Sequence, residues 1–105
     1  MPEHKEKYDA RFWVYQNWNS KDTTHANIHI PWCGHCRDGE GHRNSKKSKN
    51  NWTPDSKWKW IDCDNYEEAL EALENFKKER NCKPKKAKDC YYCRPGNRQH
   101  WYLDS

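Results

Sequence analysis

Aliphatic side chains are scarce in this chain. Only Val14, Ile28, Ile30, Ile61, Leu70, Leu73 and Leu103 supply branched apolar bulk, with one methionine and two phenylalanines beside them. A conventional aliphatic core is therefore excluded. No apolar run approaches the roughly 20 residues that a membrane-crossing helix needs. The segment Met1-Pro2-Glu3-His4-Lys5-Glu6-Lys7 has no apolar stretch of the kind that drives secretion. The expectation is a cytoplasmic, reducing location, where paired cysteines read as metal ligands or redox groups rather than structural disulfides. No Ser/His/Asp grouping or pair of carboxylates stands out, so no enzyme class is indicated.

What the chain does have is tryptophan and cysteine. At 105 residues it is the length of one small domain, residues 1–105. Trp13, Trp18, Trp32, Trp52, Trp58, Trp60 and Trp101 must carry most of the apolar burial, because each covers a large area. Small domains with thin cores need a staple, and six cysteines in this length meet that need. Four of them form two Cys-x-x-Cys pairs, Cys33/Cys36 and Cys90/Cys93, which together can give one tetrahedral ion four sulfur ligands. One tetrahedral Zn²⁺ in a closed Cys₄ site is expected, since a closed thiolate site suits an ion without redox demands. Four thiolates and one divalent ion would take the formal charge of +4 to about +2.

The first pair, read as Trp32-Cys33-Gly34-His35-Cys36, also spells a disulfide-isomerase site. That chemistry needs a helix starting at the cysteines, whose dipole lowers the first thiol's pKa. The following Arg37-Asp38-Gly39-Glu40-Gly41 does not favour a helix. A thiol oxidoreductase at Cys33/Cys36 is the weaker alternative. His29, His35 and His42 lie near the first pair, and any of them offers an imidazole in place of a cysteine; as they stand they read as polar strand or turn residues. Cys63 and Cys82 flank the expected helix, whose length keeps them too far apart for a disulfide. They read as half-buried thiols.

Along the chain, residues 1–9 are charged and expected to fray. Arg11 to Trp18 is dense in aromatic and β-branched residues, which predicts a strand. Asn19-Ser20-Lys21-Asp22 reads as a turn. From His25 to Pro31 the pattern alternates, with Ala26, Ile28 and Ile30 on one face and His25, Asn27 and His29 on the other, which predicts a second strand in a hairpin with the first. Residues 38–51 are polar, basic and free of apolar side chains, as an exposed loop would be. Lys57 to Ile61 alternates Lys and Trp and predicts a third strand. A helix is predicted from about Asn65 to Arg80, capped by Asp64 with Glu67 or, in an equal register, Asn65 with Glu68. Its acidic residues stand early and its basic residues late, as the helix dipole favours. Tyr66, Ala69, Leu70, Leu73 and Phe76 form its apolar stripe, and Asn81 and Pro84 end it. Trp101, Tyr102 and Leu103 are expected to pack back on the domain. The fold class is α+β: an antiparallel three-stranded sheet with one main helix on it, stapled by zinc.

The order His29-x-x-x-Cys33, a basic insert, a strand, Asn65-Tyr66-Glu67-Glu68-Ala69 opening a helix, and Cys90-x-x-Cys93 resembles small bacterial zinc-binding proteins of unassigned function. These have a hairpin, a Cys-x-x-Cys-x-x-Gly-x-Gly turn (here Cys33 to Gly41), a Trp-containing strand, a Glu-Glu-Ala helix and a final Cys-x-x-Cys. More distantly the chain is similar to the zinc-binding N-terminal domain of the Ada DNA-alkylation repair protein, which also takes its last two cysteines from after a helix. The resemblance covers most of the chain through short motifs and implies a metal site at Cys33, Cys36, Cys90 and Cys93. It does not extend to methyl transfer, which uses an activated ligand cysteine and a different first-pair spacing.

Two uses for such a site follow from the surrounding residues. Arg43, Lys46, Lys47 and Lys49 lie on the basic loop, and Lys85, Lys86, Lys88 and Arg94 surround the second pair. Brought together, they would form a phosphate-contacting patch for DNA or RNA, and Trp52, Trp58 or Trp60 would stack on unpaired bases where exposed. The alternative is a zinc-stabilised protein-interaction module that offers the acidic helix face (Glu67, Glu71, Glu74) or a Trp surface.

Overall fold

The computed structural model describes residues 8–19 and 24–101. Most of the predicted turn at 19–22, residues 1–7 of the charged terminal segment, and Tyr102 and Leu103 lie outside the described residues. Five elements organise the chain: β1 (Phe12–Asn17), β2 (His25–His29), β3 (Trp58–Cys63), α1 (Tyr66–Arg80) and β4 (Ala87–Asp89). The sheet order is β3-β1-β2-β4. β1 pairs antiparallel with both β2 and β3, and β4 pairs parallel with β2. The sheet is thus four-stranded and mixed, where the residue pattern predicts three antiparallel strands. The missed strand, Ala-Lys-Asp, has only three residues and no β-branched or aromatic side chain, so its local preference is weak. Its extended form comes from pairing with β2.

Register sorts the side chains of the sheet into two faces. Val14 stands opposite Ile28 and Ile61, and Phe12 opposite Cys63. These residues, with Ala26, meet the Ala69, Leu73 and Phe76 face of α1. Phe12 and Tyr66 pack edge to face with ring centroids 5.7 Å apart, and the Gln16 amide donates to the Ala72 carbonyl at the long limit of 3.5 Å. Leu70, assigned to the apolar stripe by its spacing, is 42% exposed. It lies at the edge of the stripe, and the buried face needs only Ala69, Leu73 and Phe76. α1 begins at Asn65, whose side chain accepts from Glu68 N at 2.8 Å and donates to the Glu68 carboxylate at 3.2 Å, which selects the second of the two capping registers. It ends at Asn81 in the left-handed conformation, whose N–H returns to the Lys77 carbonyl.

The opposite face carries Trp13, Tyr15, Asn17, His25, Asn27, His29 and Trp60. Segment 38–51 folds across part of it. The Asp38 carboxylate accepts from Trp13 Nε1 at 2.8 Å and from Asp9 N at 3.0 Å, and the Lys47 carbonyl accepts from Trp60 Nε1 at 2.7 Å. The indole N–H groups thus dock a segment that has no apolar side chain of its own. Gly39 permits the close approach: its φ is +86°, and a Cβ there would lie 3.1 Å from the Trp13 ring. His42 to Lys46 remain exposed at the tip. Trp101 packs back as expected, donating to the Arg11 carbonyl at 2.9 Å and holding Trp32 and Tyr8 by ring contacts. Among the described residues no helix is long and apolar enough to cross a membrane.

Neutral groups held in or beside the core, Cys63 and Tyr66 along with Cys36, make the fold sensitive to alkali. Burial pushes the Cys63 thiol from 9.0 up to about 12. Burial and then the hydrogen bond to Asp89 push the Tyr66 phenol above its ordinary 10.0. Both stay protonated in the fold at a pH where the unfolded chain has lost those protons, so the unfolded state binds fewer protons and stability falls as pH rises. Urea melts should keep their midpoint up to about pH 8 and lose it progressively above about pH 9. A midpoint that does not move through this range contradicts the assignment, and Cys63→Ala with Tyr66→Phe should make the decline shallower, leaving the part due to Cys36.

Candidate metal centre

β2 and β4 run side by side in the same direction, so their C-terminal ends lie together. His29 is the last residue of β2, and the chain then turns through Pro31-Trp32, with Cys33 N donating to the Ile30 carbonyl at 3.1 Å. Cys90 follows β4 directly and extends the parallel pairing, its N–H donating to the Ile28 carbonyl at 2.8 Å. A turn closed by Arg94 N to the Cys90 carbonyl, 2.9 Å, brings Cys93 back under β2, where its Sγ accepts from Ile30 N at 3.4 Å. The result is a compact group of four donors. One nitrogen of His29 and the sulfurs of Cys33, Cys90 and Cys93 all lie within 4.8 Å of one another, and all four residues are buried.

The geometry suits a tetrahedral ion. A Zn–S bond of about 2.3 Å places two sulfurs of a regular tetrahedron about 3.8 Å apart, and Cys33 and Cys90 are 3.8 Å apart. The chemistry agrees. His29 Nδ1 is the one buried side-chain nitrogen or oxygen among the described residues with no hydrogen-bond partner, a state that costs about 1–3 kcal/mol unless something engages it. The three thiols interact strongly. Hydrogen bonds from Cys33 and then Cys93 hold the Cys90 thiol far below its ordinary range, and the same contacts push Cys33 and Cys93 up. The three sulfurs therefore already favour sharing one thiolate among them.

The pattern of two Cys-x-x-Cys pairs puts Cys36 in the ligand set. The structure brings together Cys33, Cys90 and Cys93, leaves Cys36 outside the group, and adds His29. Cys36 is fully buried in the core, and its carbonyl accepts from Gly39 N at 3.0 Å and Gly41 N at 2.8 Å. Burial pushes its thiol up, as for a cysteine that packs in the core. Cys33 and Cys36 sit in a hydrogen-bonded turn, not at the start of a helix. Arg37 and Asp38 both have positive φ, 46° and 55°, and carry the chain away from the cysteines. The signal that would have found His29 is its spacing, His29-x-x-x-Cys33, together with its place at the end of a strand that is polar on that face. His35 and His42 remain exposed, stacked on each other with ring centroids 5.3 Å apart.

This donor group borders a cavity of about 610 Å³ on the sheet face away from α1. Tyr15, Trp60 and Asn27 come from the sheet, Lys47 from the covering segment, and Lys88, Tyr91 and Tyr92 from β4 and the second knuckle. Of the basic residues picked out by sequence, Lys47 and Lys88 reach this cavity. Arg94 lies over the Tyr91 ring at 5.2 Å. Lys49 pairs with Asp9 and covers Trp13. Arg43, Lys46, Lys85 and Lys86 are exposed outside the cavity. Trp60 is half-buried in the cavity wall, and Trp52 is exposed elsewhere. Comparison with protein-family models, with curated proteins and with solved structures finds no match to this chain.

Proposed function

We propose that this protein is a zinc-stapled nucleic-acid-binding module. His29, Cys33, Cys90 and Cys93 hold one Zn²⁺ in a closed site of three sulfurs and one nitrogen, a donor set typical of structural zinc. Four protein ligands leave no open position for a substrate, so the ion serves the fold and the chain acts by binding rather than by catalysis. The observation that carries the binding role is the cavity, where the second knuckle joins Tyr91, Tyr92 and Lys88 to Tyr15, Trp60 and Lys47. Aromatic rings interleaved with cations are the chemistry of single-strand binding. The remaining exposed cations, Arg43 and Lys46 on one side and Lys85 and Lys86 on the other, offer phosphate contacts beyond it.

Two measurements test this reading. Purified protein should carry one zinc per chain. It should retard single-stranded DNA or RNA in a gel, with affinity falling as salt rises by about 0.7 log unit per log unit of salt for each phosphate neutralised. Stoichiometric zinc with no shift at low salt would remove the nucleic-acid role and leave the protein-interaction reading, for which the exposed Leu70 beside Glu67, Glu71 and Glu74 is the surface to test.

A further inference from the structure

We infer that the cavity beside the metal centre is a subsite for one unpaired nucleobase of a single strand, with the strand's phosphates against Lys47 and Lys88. The inference rests on the binding role proposed above and narrows it to one site. The cavity's volume of about 610 Å³ falls within the ~300–1,000 Å³ of small-ligand sites. Two aromatic pairs border it from different parts of the chain. Tyr15 and Trp60 on adjacent strands have centroids 4.8 Å apart, and His35 and Tyr92 on the two knuckles stack at 4.4 Å with planes 29° apart. Flat rings on both the sheet and the knuckles suit a flat guest.

Charge decides the kind of flat guest. Among the described residues no carboxylate lines the cavity, and Lys47 and Lys88 stand at it from separate elements. A planar group carrying negative charge fits, and a planar cation does not. The cavity's amides give it a means to bond base edges, Asn27 being held by its own bond to the Lys88 carbonyl at 3.3 Å. A second metal ion does not fit. Among the described residues, the one compact group of ion-holding donors is that of His29, Cys33, Cys90 and Cys93, and His25, His35 and His42 at the cavity form none. Exposed Tyr91 lines the cavity and carries Arg94 over its ring at 5.2 Å, and His42 of the basic loop lines it as well, which gives the strand a path on either side of the bound nucleotide.

The test uses the zinc-loaded full chain, fluorescently labelled oligothymidylate and oligouridylate, and free thymidine and uridine monophosphate. Tyr92 is 74% exposed, so Tyr92→Ala leaves the fold intact, which a thermal melt checks. This variant should weaken strand binding about 5- to 150-fold, the range expected for losing one stacked base. Tyr92→Phe, which keeps the ring, should restore it. Lys88→Ala should lower the salt slope by about 0.7, and Lys78→Ala, on the exposed side of α1, should change nothing. A wild-type protein that binds neither strand overturns the nucleic-acid reading itself. Wild-type binding with Tyr92→Ala and Lys88→Ala unchanged overturns the subsite while leaving that reading in place. Free monophosphates that bind as tightly as the strands overturn the assignment to a strand.

Discussion

Removing the metal should unfold this domain. The expected result of a strong chelator, or of Cys93→Ser, is loss of the cooperative thermal transition and of most of the far-ultraviolet dichroism. The physical reason lies in what else holds β4 in place. β4 is three residues long, and on its helix-facing side only Ala87 is apolar and buried. The knuckle after it is tied down by backbone bonds and by the Ile30 N–H donating to Cys93 Sγ. Without an ion, three buried thiols crowd one another and His29 keeps a bare ring nitrogen. Structural zinc sites supply about 10–16 kcal/mol of apparent binding free energy at neutral pH, whereas a whole domain is typically stable by about 5–15 kcal/mol. Losing the first exhausts the second. Zinc added back after chelation should restore the melt. A full cooperative transition without metal would overturn a structural role for the site.

The second large effect separates two ligand sets. His29→Ala should weaken zinc affinity by more than the roughly 10- to 100-fold that loss of an outer-shell partner costs, because it removes a direct ligand. Cys36→Ala should keep one zinc at near wild-type affinity and lose about 1–2 kcal/mol of stability, as ordinary core truncations do. Chelator-competition titrations read both. His29→Cys serves as a further check: it should still hold the ion, and its cobalt-substituted form should show the stronger sulfur-to-metal charge transfer of a four-thiolate site. The reverse pattern, with Cys36 required and His29 dispensable, would restore the four-cysteine site that the two Cys-x-x-Cys pairs suggest.

Much of the local structure can be read without coordinates. The helix announces itself through its Asn65 cap, its early glutamates and late lysines, and its Ala69–Leu73–Phe76 spacing, because helical periodicity and capping are short-range properties. The β1 and β2 hairpin is visible in the alternation of Ala26 and Ile28 against His25, Asn27 and His29. Features set by distant partners are not visible in this way. Leu70 has the right spacing for the stripe, yet it lies at its edge and stays 42% exposed, while Ala69, Leu73 and Phe76 take the buried face. Residues 38–51 look like a plain exposed loop because they lack apolar side chains. Their docking uses the Asp38 carboxylate and the Lys47 carbonyl, and a backbone acceptor leaves no mark in residue type. Lys47 and Lys88 cannot be told apart from the other lysines by composition, but among the described residues these are the two lysines that line the cavity.

Residue types alone point to a staple and to the side chains able to form one. Scarce aliphatic bulk leaves a thin core, and six cysteines with nearby histidines supply more donors than one ion requires. Tertiary structure decided which four of them meet. That selection depends on strand direction. Because β4 pairs parallel with β2, both strands deliver their C-terminal ends to the same edge of the sheet, and Cys90 and Cys93 arrive beside His29 and Cys33. An antiparallel β4 would carry the second pair to the far end of β2. Direction and register of a three-residue strand come from the whole sheet, so the local pattern, which offers both His29 and Cys36 as donors, does not choose between them.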